Sequence, residues 1–236
     1  MRVRILGAVP ALALMLMLMF LAPASEMRAD TVFSNFGPGQ TYVGNSWWDV
    51  GTVTGTTNVE VNAFSFVPTE TATLTGADLA LAGLSGPTTP LNVFIESNSG
   101  GMPGTILDTL SQSGSYPVYP GTAVVNFACS GSCTTLDAGT TYWIVGQQSD
   151  PSNLAYWLYS FGDTGTWYYN YADSETGPWT VAATGDQFSA FDVTGNASNV
   201  PPVPEPASLA LLGSGLVGVG LLEARRRAWL AKHRER

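Results

Sequence analysis

The chain has 236 residues and a formal charge of -9, from 9 Lys and Arg against 18 Asp and Glu. All the acidic residues but Glu205, Glu223 and Glu235 lie between Glu26 and Asp192, where Arg28 is the one basic residue. Such an acidic surface repels nucleic acid and other polyanions, which excludes a nucleic-acid partner, and the length suits one folded domain between two distinct ends.

Residues 1–24 read as a secretory signal peptide. Arg2 and Arg4 form a basic start, Ile5 to Leu21 is almost wholly apolar, and Ala22-Pro23-Ala24 offers the small residues that signal peptidase reads. An uncleaved N-terminal anchor is the alternative, and Pro23 leaves the cut position open.

Residues 25–194 carry strand chemistry: Thr, Val, Ser, Gly and aromatics, with no long helical period. In chain order the spacing predicts strands at Thr41 to Val43, Val50 to Thr54, Val59 to Val67 and Thr73 to Leu81. Leu91 to Glu96, Ile106 to Leu110, Ala123 to Phe127 and Thr141 to Gln147 follow. Ala155 to Ser160, Thr166 to Tyr171 and Gln187 to Val193 complete the series. In an extended chain successive side chains face opposite ways. Phe64 and Phe66 therefore share a face, and Trp47 and Trp48 point apart, so that one of them is core. Ser97 to Gly104, SNSGGMPG, lacks the Lys-Ser/Thr ending of a phosphate loop and reads as a turn.

Short strands broken by Gly, Pro, Asn and Asp indicate an all-β fold. The expected form is an antiparallel two-sheet β-sandwich, a jelly roll, with an immunoglobulin-like sandwich as the alternative. Cys129 and Cys133, in ACSGSC, are expected to form a disulfide across a tight loop, which export permits. A redox pair or half of a zinc site are the other readings.

Residues 195–202 form a Pro-rich linker of extended, semi-rigid chain. In residues 203–236, the apolar segment 207–222 has no charge, and the basic tail 223–236 holds Arg225, Arg226 and Arg227. As a hydrophobic helix the apolar segment spans about 24 Å, against about 30 Å for a bilayer core. It is therefore a marginal membrane anchor, with the arginines cytoplasmic.

Val203-Pro204-Glu205-Pro206, then an apolar segment, then an arginine cluster, resembles the PEP-CTERM sorting signal. That resemblance implies a Gram-negative bacterium, export through the inner membrane, and residence in the envelope or at the surface. It also implies processing by an exosortase, with Pro204, Glu205 and Pro206 as recognition residues, and association with exopolysaccharide or biofilm matrix. The rest of the chain more loosely resembles the choice-of-anchor domains that carry such tails. Thr31 to Gly39, LNVFIESNSGGMPG and AGTTYWIVG at Ala138 to Gly146 carry this likeness. It implies a fold and no activity.

No catalytic residue stands out. The one histidine, His233, lies in the tail, and residues 25–194 contain no lysine and no G-x-S-x-G elbow. The protein is thus read as a non-enzymatic surface or matrix protein without a cofactor. A carbohydrate-binding module and an adhesive or structural spacer are the alternatives. For the former, Trp157, Tyr159, Trp167, Tyr169 and Trp179 are candidate polysaccharide contacts, since rings stack on sugar faces while nearby polar groups bond hydroxyls. Asp163, Asp173 and Glu175 are candidate ligands for a structural calcium ion, which takes carboxylate and carbonyl oxygens.

Overall fold

The computed structural model describes residues 29–53, 55–84, 90–182 and 185–197. The signal peptide and the sorting tail with its apolar segment lie outside the described residues. Among the described residues no helix is long and apolar enough to cross a membrane.

Among the described residues fourteen strands form. They are β1 (Asp30–Ser34), β2 (Val43–Thr52), β3 (Val59–Phe66), β4 (Ala72–Gly83), β5 (Leu91–Ser99), β6 (Met102–Ser113) and β7 (Ala123–Cys129). Then come β8 (Thr135–Leu136), β9 (Tyr142–Gln148), β10 (Leu154–Gly165), β11 (Trp167–Asn170), β12 (Thr180–Val181), β13 (Asp186–Ser189) and β14 (Phe191–Ala197). Gly100 and Gly101 link β5 to β6 with φ of 64° and 90°. Two left-handed residues are what a tight hairpin turn needs, so the glycine stretch is the expected turn.

The all-β reading holds, but two separate sheets do not describe the hydrogen bonding. Pairing runs β4-β7-β6-β5-β9-β3-β2-β10, and β10 then pairs back with β4 through Ala155, Tyr156 and Trp157 opposite Gly83, Ala82 and Leu81. These eight antiparallel strands close into a barrel, so the sandwich and jelly-roll expectation is corrected. Closure removes the unpaired edges that an open sheet would expose. It is possible because β4 is long: one edge carries β7, while the other takes β14 up to Leu79 and β10 from Leu81. β14 continues through Ala197 opposite Ala72. Gly195 to Ala197, read from the sequence as linker, are therefore in the sheet.

Side chains alternate between a filled interior and the outer face. Along β3, Phe64 and Phe66 enter the main core while Val61 and Ala63 join an outer cluster. Along β10, Ala155 and Trp157 go inward, and Leu154, Tyr156 and Leu158 go outward. The outer apolar patches are covered. Trp47, Phe36 and Tyr42 pack on one, and Tyr168 and Trp179 on the other. Trp48 packs on the main core, so the adjacent tryptophans split as alternation requires. Each buried Phe or Leu contributes about 1.5–3 kcal/mol.

Cys129 and Cys133 are bonded, as expected. With a sequence separation of 4 the closed loop is short, and chain entropy limits its contribution to about 2 kcal/mol. Replacing both by serine should lower the melting temperature by only a few degrees. Complete unfolding of that variant at room temperature would show that the bond does more than close a loop.

Candidate functional site

The barrel wall divides at β3. Val59 and Glu60 pair with Thr52 and Gly51 of β2, whereas Val61 to Phe64 pair with β11. The two neighbours part at this point, and a cleft of about 530 Å³ opens between them. Its aromatic wall is Trp47, Trp48, Trp167, Tyr169 and Tyr171, and its acidic groups are Asp49, Glu60 and Asp186. Val181 and Ala182 line the β12 side.

The rings form a continuous run. Trp48 and Trp167 stand 4.3 Å apart, Trp167 and Tyr169 5.8 Å, and Tyr169 and Tyr171 5.1 Å. Trp48 is fixed by its Nε1, which donates to the Gln187 carbonyl at 2.8 Å. Tyr171 ends the run with half its surface exposed. Trp167 is 2% exposed, and its Nε1 has no hydrogen-bond acceptor.

Glu60 is 8% exposed. Burial, and then the charge of Asp49, push its carboxyl up to about 7. Burial raises Asp49 as well. Asn62 ties the two strands together, its Nδ2 donating to the Asp49 carbonyl at 2.6 Å. Nearby Tyr159 is pushed up to about 12, by burial and then by Asp186, Asp49 and Glu60. The cleft thus gathers three acidic groups, and residues 29–197 contain no Lys, Arg or His to pair with them.

The five proposed polysaccharide contacts are not brought together. Trp167 and Tyr169 line the cleft. Tyr159 is half-buried, 5.2 Å from Trp48, and near enough to Asp186, Asp49 and Glu60 to be raised by them, though it is not among the cleft's lining residues. Trp157 is 0% exposed, a core residue packed on Phe64 and Phe191. Trp179 covers the outer patch of Val61, Ala63 and Phe94. Sequence reasoning left out Trp47, Trp48, Asp49, Glu60, Tyr171 and Asp186 as site residues. A signal for Glu60 existed: the alternation that sends Phe64 and Phe66 inward also turns Glu60 and Asn62 to that face.

The calcium candidates are not gathered either. Asp163 is exposed near the end of β10, while Asp173 accepts from Gln147 Nε2 at 3.1 Å through its carbonyl and 3.2 Å through Oδ1. Glu175 instead lies near enough to Glu96 to raise it. Among the described residues, the group placed for a metal is Asp108, Cys129 and Cys133. Its two sulfurs are already spent on each other.

Outside the described residues, 202–227 match the PEP-CTERM protein-sorting motif. The match runs from Pro202 to Arg227 and so takes in Val203, Pro204, Glu205 and Pro206 as well as the three arginines. The chain is therefore an exported cell-envelope protein with a C-terminal sorting tail that an exosortase-type enzyme processes. No curated protein matches the chain.

Proposed function

We propose that this is a non-enzymatic surface protein of a Gram-negative envelope that holds polysaccharide in the cleft between β2 and β11. The observation that carries this reading is the union, in one concave site, of neighbouring aromatic rings and carboxylate acceptors. Ring faces take the apolar C–H face of a sugar, while carboxylates accept from its hydroxyls. Exopolysaccharide of the cell's own matrix is the natural ligand class for a protein sorted to that compartment.

The test is retention of the processed protein on immobilised polysaccharides, neutral and charged, with reducing ends assayed in the same samples. Tyr171→Ala removes an exposed ring and should weaken retention about tenfold, the value of one well-placed stacking contact, with no change in melting temperature. Equal retention of Tyr171→Ala, or no retention of the wild type on any polysaccharide, would overturn the reading in favour of an adhesive or structural spacer. Release of reducing ends that is lost in Glu60→Gln would replace binding by hydrolysis.

A further inference from the structure

Building on the polysaccharide reading of the cleft, we propose that its ligand is an amine-bearing saccharide, a sugar chain whose free amino group is protonated and sits against Asp49, Glu60 and Asp186. Three observations converge. The first is charge without a counter-charge. Three carboxylates share one cleft, and no cationic side chain exists anywhere in residues 29–197 to meet them. Asp49 and Glu60 repel each other, and a cation from outside can take the place of the proton that relieves this in the empty cleft.

The second is the wall. Trp48, Tyr169 and Tyr171 line one site as partly exposed rings, and Trp167 is packed beneath them between Phe64 and Trp48. An ammonium group within about 6 Å of a ring centroid is attracted by the ring quadrupole, most strongly to tryptophan. A neutral sugar uses only the stacking of such a wall, whereas an amino sugar uses its stacking and its charge attraction together. The third is a largely buried polar group on the lining. Glu60, 8% exposed, supplies an acceptor there, where stacking alone would need none.

Burial raises Glu60 and Asp49 in the empty cleft. A bound ammonium favours their ionised forms and so releases a proton from Glu60 near neutral pH.

The experiment titrates the processed protein, by tryptophan fluorescence near pH 6.5, with glucosamine oligosaccharides carrying free amines. The same-length N-acetylated oligosaccharides and neutral glucan oligosaccharides serve as comparisons. The free amine should bind at least about tenfold more tightly than the N-acetyl form, the value of one hydrogen bond between charged partners. That preference should shrink as salt is raised. In Glu60→Gln and in Asp186→Asn the ratio of the two affinities should fall toward one. Asp186 is only half-buried, so its variant keeps the comparison if Glu60→Gln misfolds.

N-acetylated or neutral oligosaccharides binding as tightly as the free amine would overturn this inference and leave the polysaccharide reading standing. Failure of every oligosaccharide to bind would overturn both. Calcium saturating the cleft at micromolar concentration, with no preference among saccharides, would assign the carboxylates to a metal ion and overturn the amine.

Discussion

Trp157→Ala should destabilise the protein by about 3–5 kcal/mol, a large part of the roughly 5–15 kcal/mol by which native domains exceed their unfolded states. Trp157 is the largest wholly buried side chain of the barrel. Its ring meets Phe64 edge-on at 5.0 Å and Phe191 at 6.0 Å. Its Nε1 donates to the Ala190 carbonyl at 3.1 Å, which fastens β10 to the crossing from β13 to β14. Alanine would leave a ring-sized void at the seam where β10 closes on β4, and would leave the Ala190 carbonyl with the Ala80 N–H as its remaining donor.

The opposite wall is shaped for the same ring. A Cβ on Gly146 would fall 2.9 Å from Cζ3 of Trp157, so Gly146→Ala should also cost stability by forcing the indole off its rotamer. Urea denaturation of the two variants, against Tyr171→Ala as a surface control, measures both effects. An unchanged midpoint for Trp157→Ala would contradict its place in the core. Any loss of ligand retention in that variant reports lost folding rather than a lost contact.

The fate of Trp157 marks where sequence reasoning reached its limit. Period-two alternation correctly placed Trp157 and Tyr159 on one face of a strand and separated Trp47 from Trp48. Alternation cannot tell which face turns inward, because that depends on what covers it. Here the decision is made by pairings distant in sequence, Trp157 opposite Leu81 and opposite Trp48. The same blindness hid closure of the barrel. Ten or so short strands with turn residues between them describe a sandwich and a barrel equally well, and only the three pairs between β10 and β4 separate them.

The local chemistry was more legible. The glycine turn and the disulfide follow from short-range geometry, and the sorting tail from an ordered motif. The cleft was half legible. Trp167 and Tyr169 were singled out as aromatic candidates, but their acidic partners come from β2, β3 and β13, which lie far from them in the chain.

The second large effect concerns pH. The protein should be more stable at pH 5 than at pH 8, the reverse of a protein held by ionised carboxylates. Glu96 is wholly buried and both its carboxylate oxygens lack a partner. Burial, and then the charge of Glu175, push it up to about 8 from an ordinary 4.5. Glu60 is pushed up to about 7. Burial and the neighbouring Asp78 push Asp192 up to about 6.

A carboxyl raised in the folded state holds a proton that the unfolded chain has released. Its stabilisation is complete below the unfolded value and declines as pH climbs to the folded one, by about 1.4 kcal/mol per pH unit for each group inside its window. The three windows overlap between pH 5 and 6, and that of Glu96 extends to about 8. Falling net charge on acidification acts in the same direction, because it relieves self-repulsion in residues 29–197, which hold no basic residue. The melting temperature should therefore drop on the order of 10 °C from pH 5 to pH 8.

Glu96→Gln removes the longest window. It should melt close to the wild type at pH 5 and above it at pH 8, with a flatter profile between. A wild-type melting temperature that climbs from pH 5 to pH 8, or a Glu96→Gln variant that is weaker at pH 8, would mean that the ionised carboxylate has a favourable partner in solution. A bound cation between Glu96 and Glu175 would have that effect, and chelator would then lower the wild-type melting temperature while leaving Glu96→Gln unchanged.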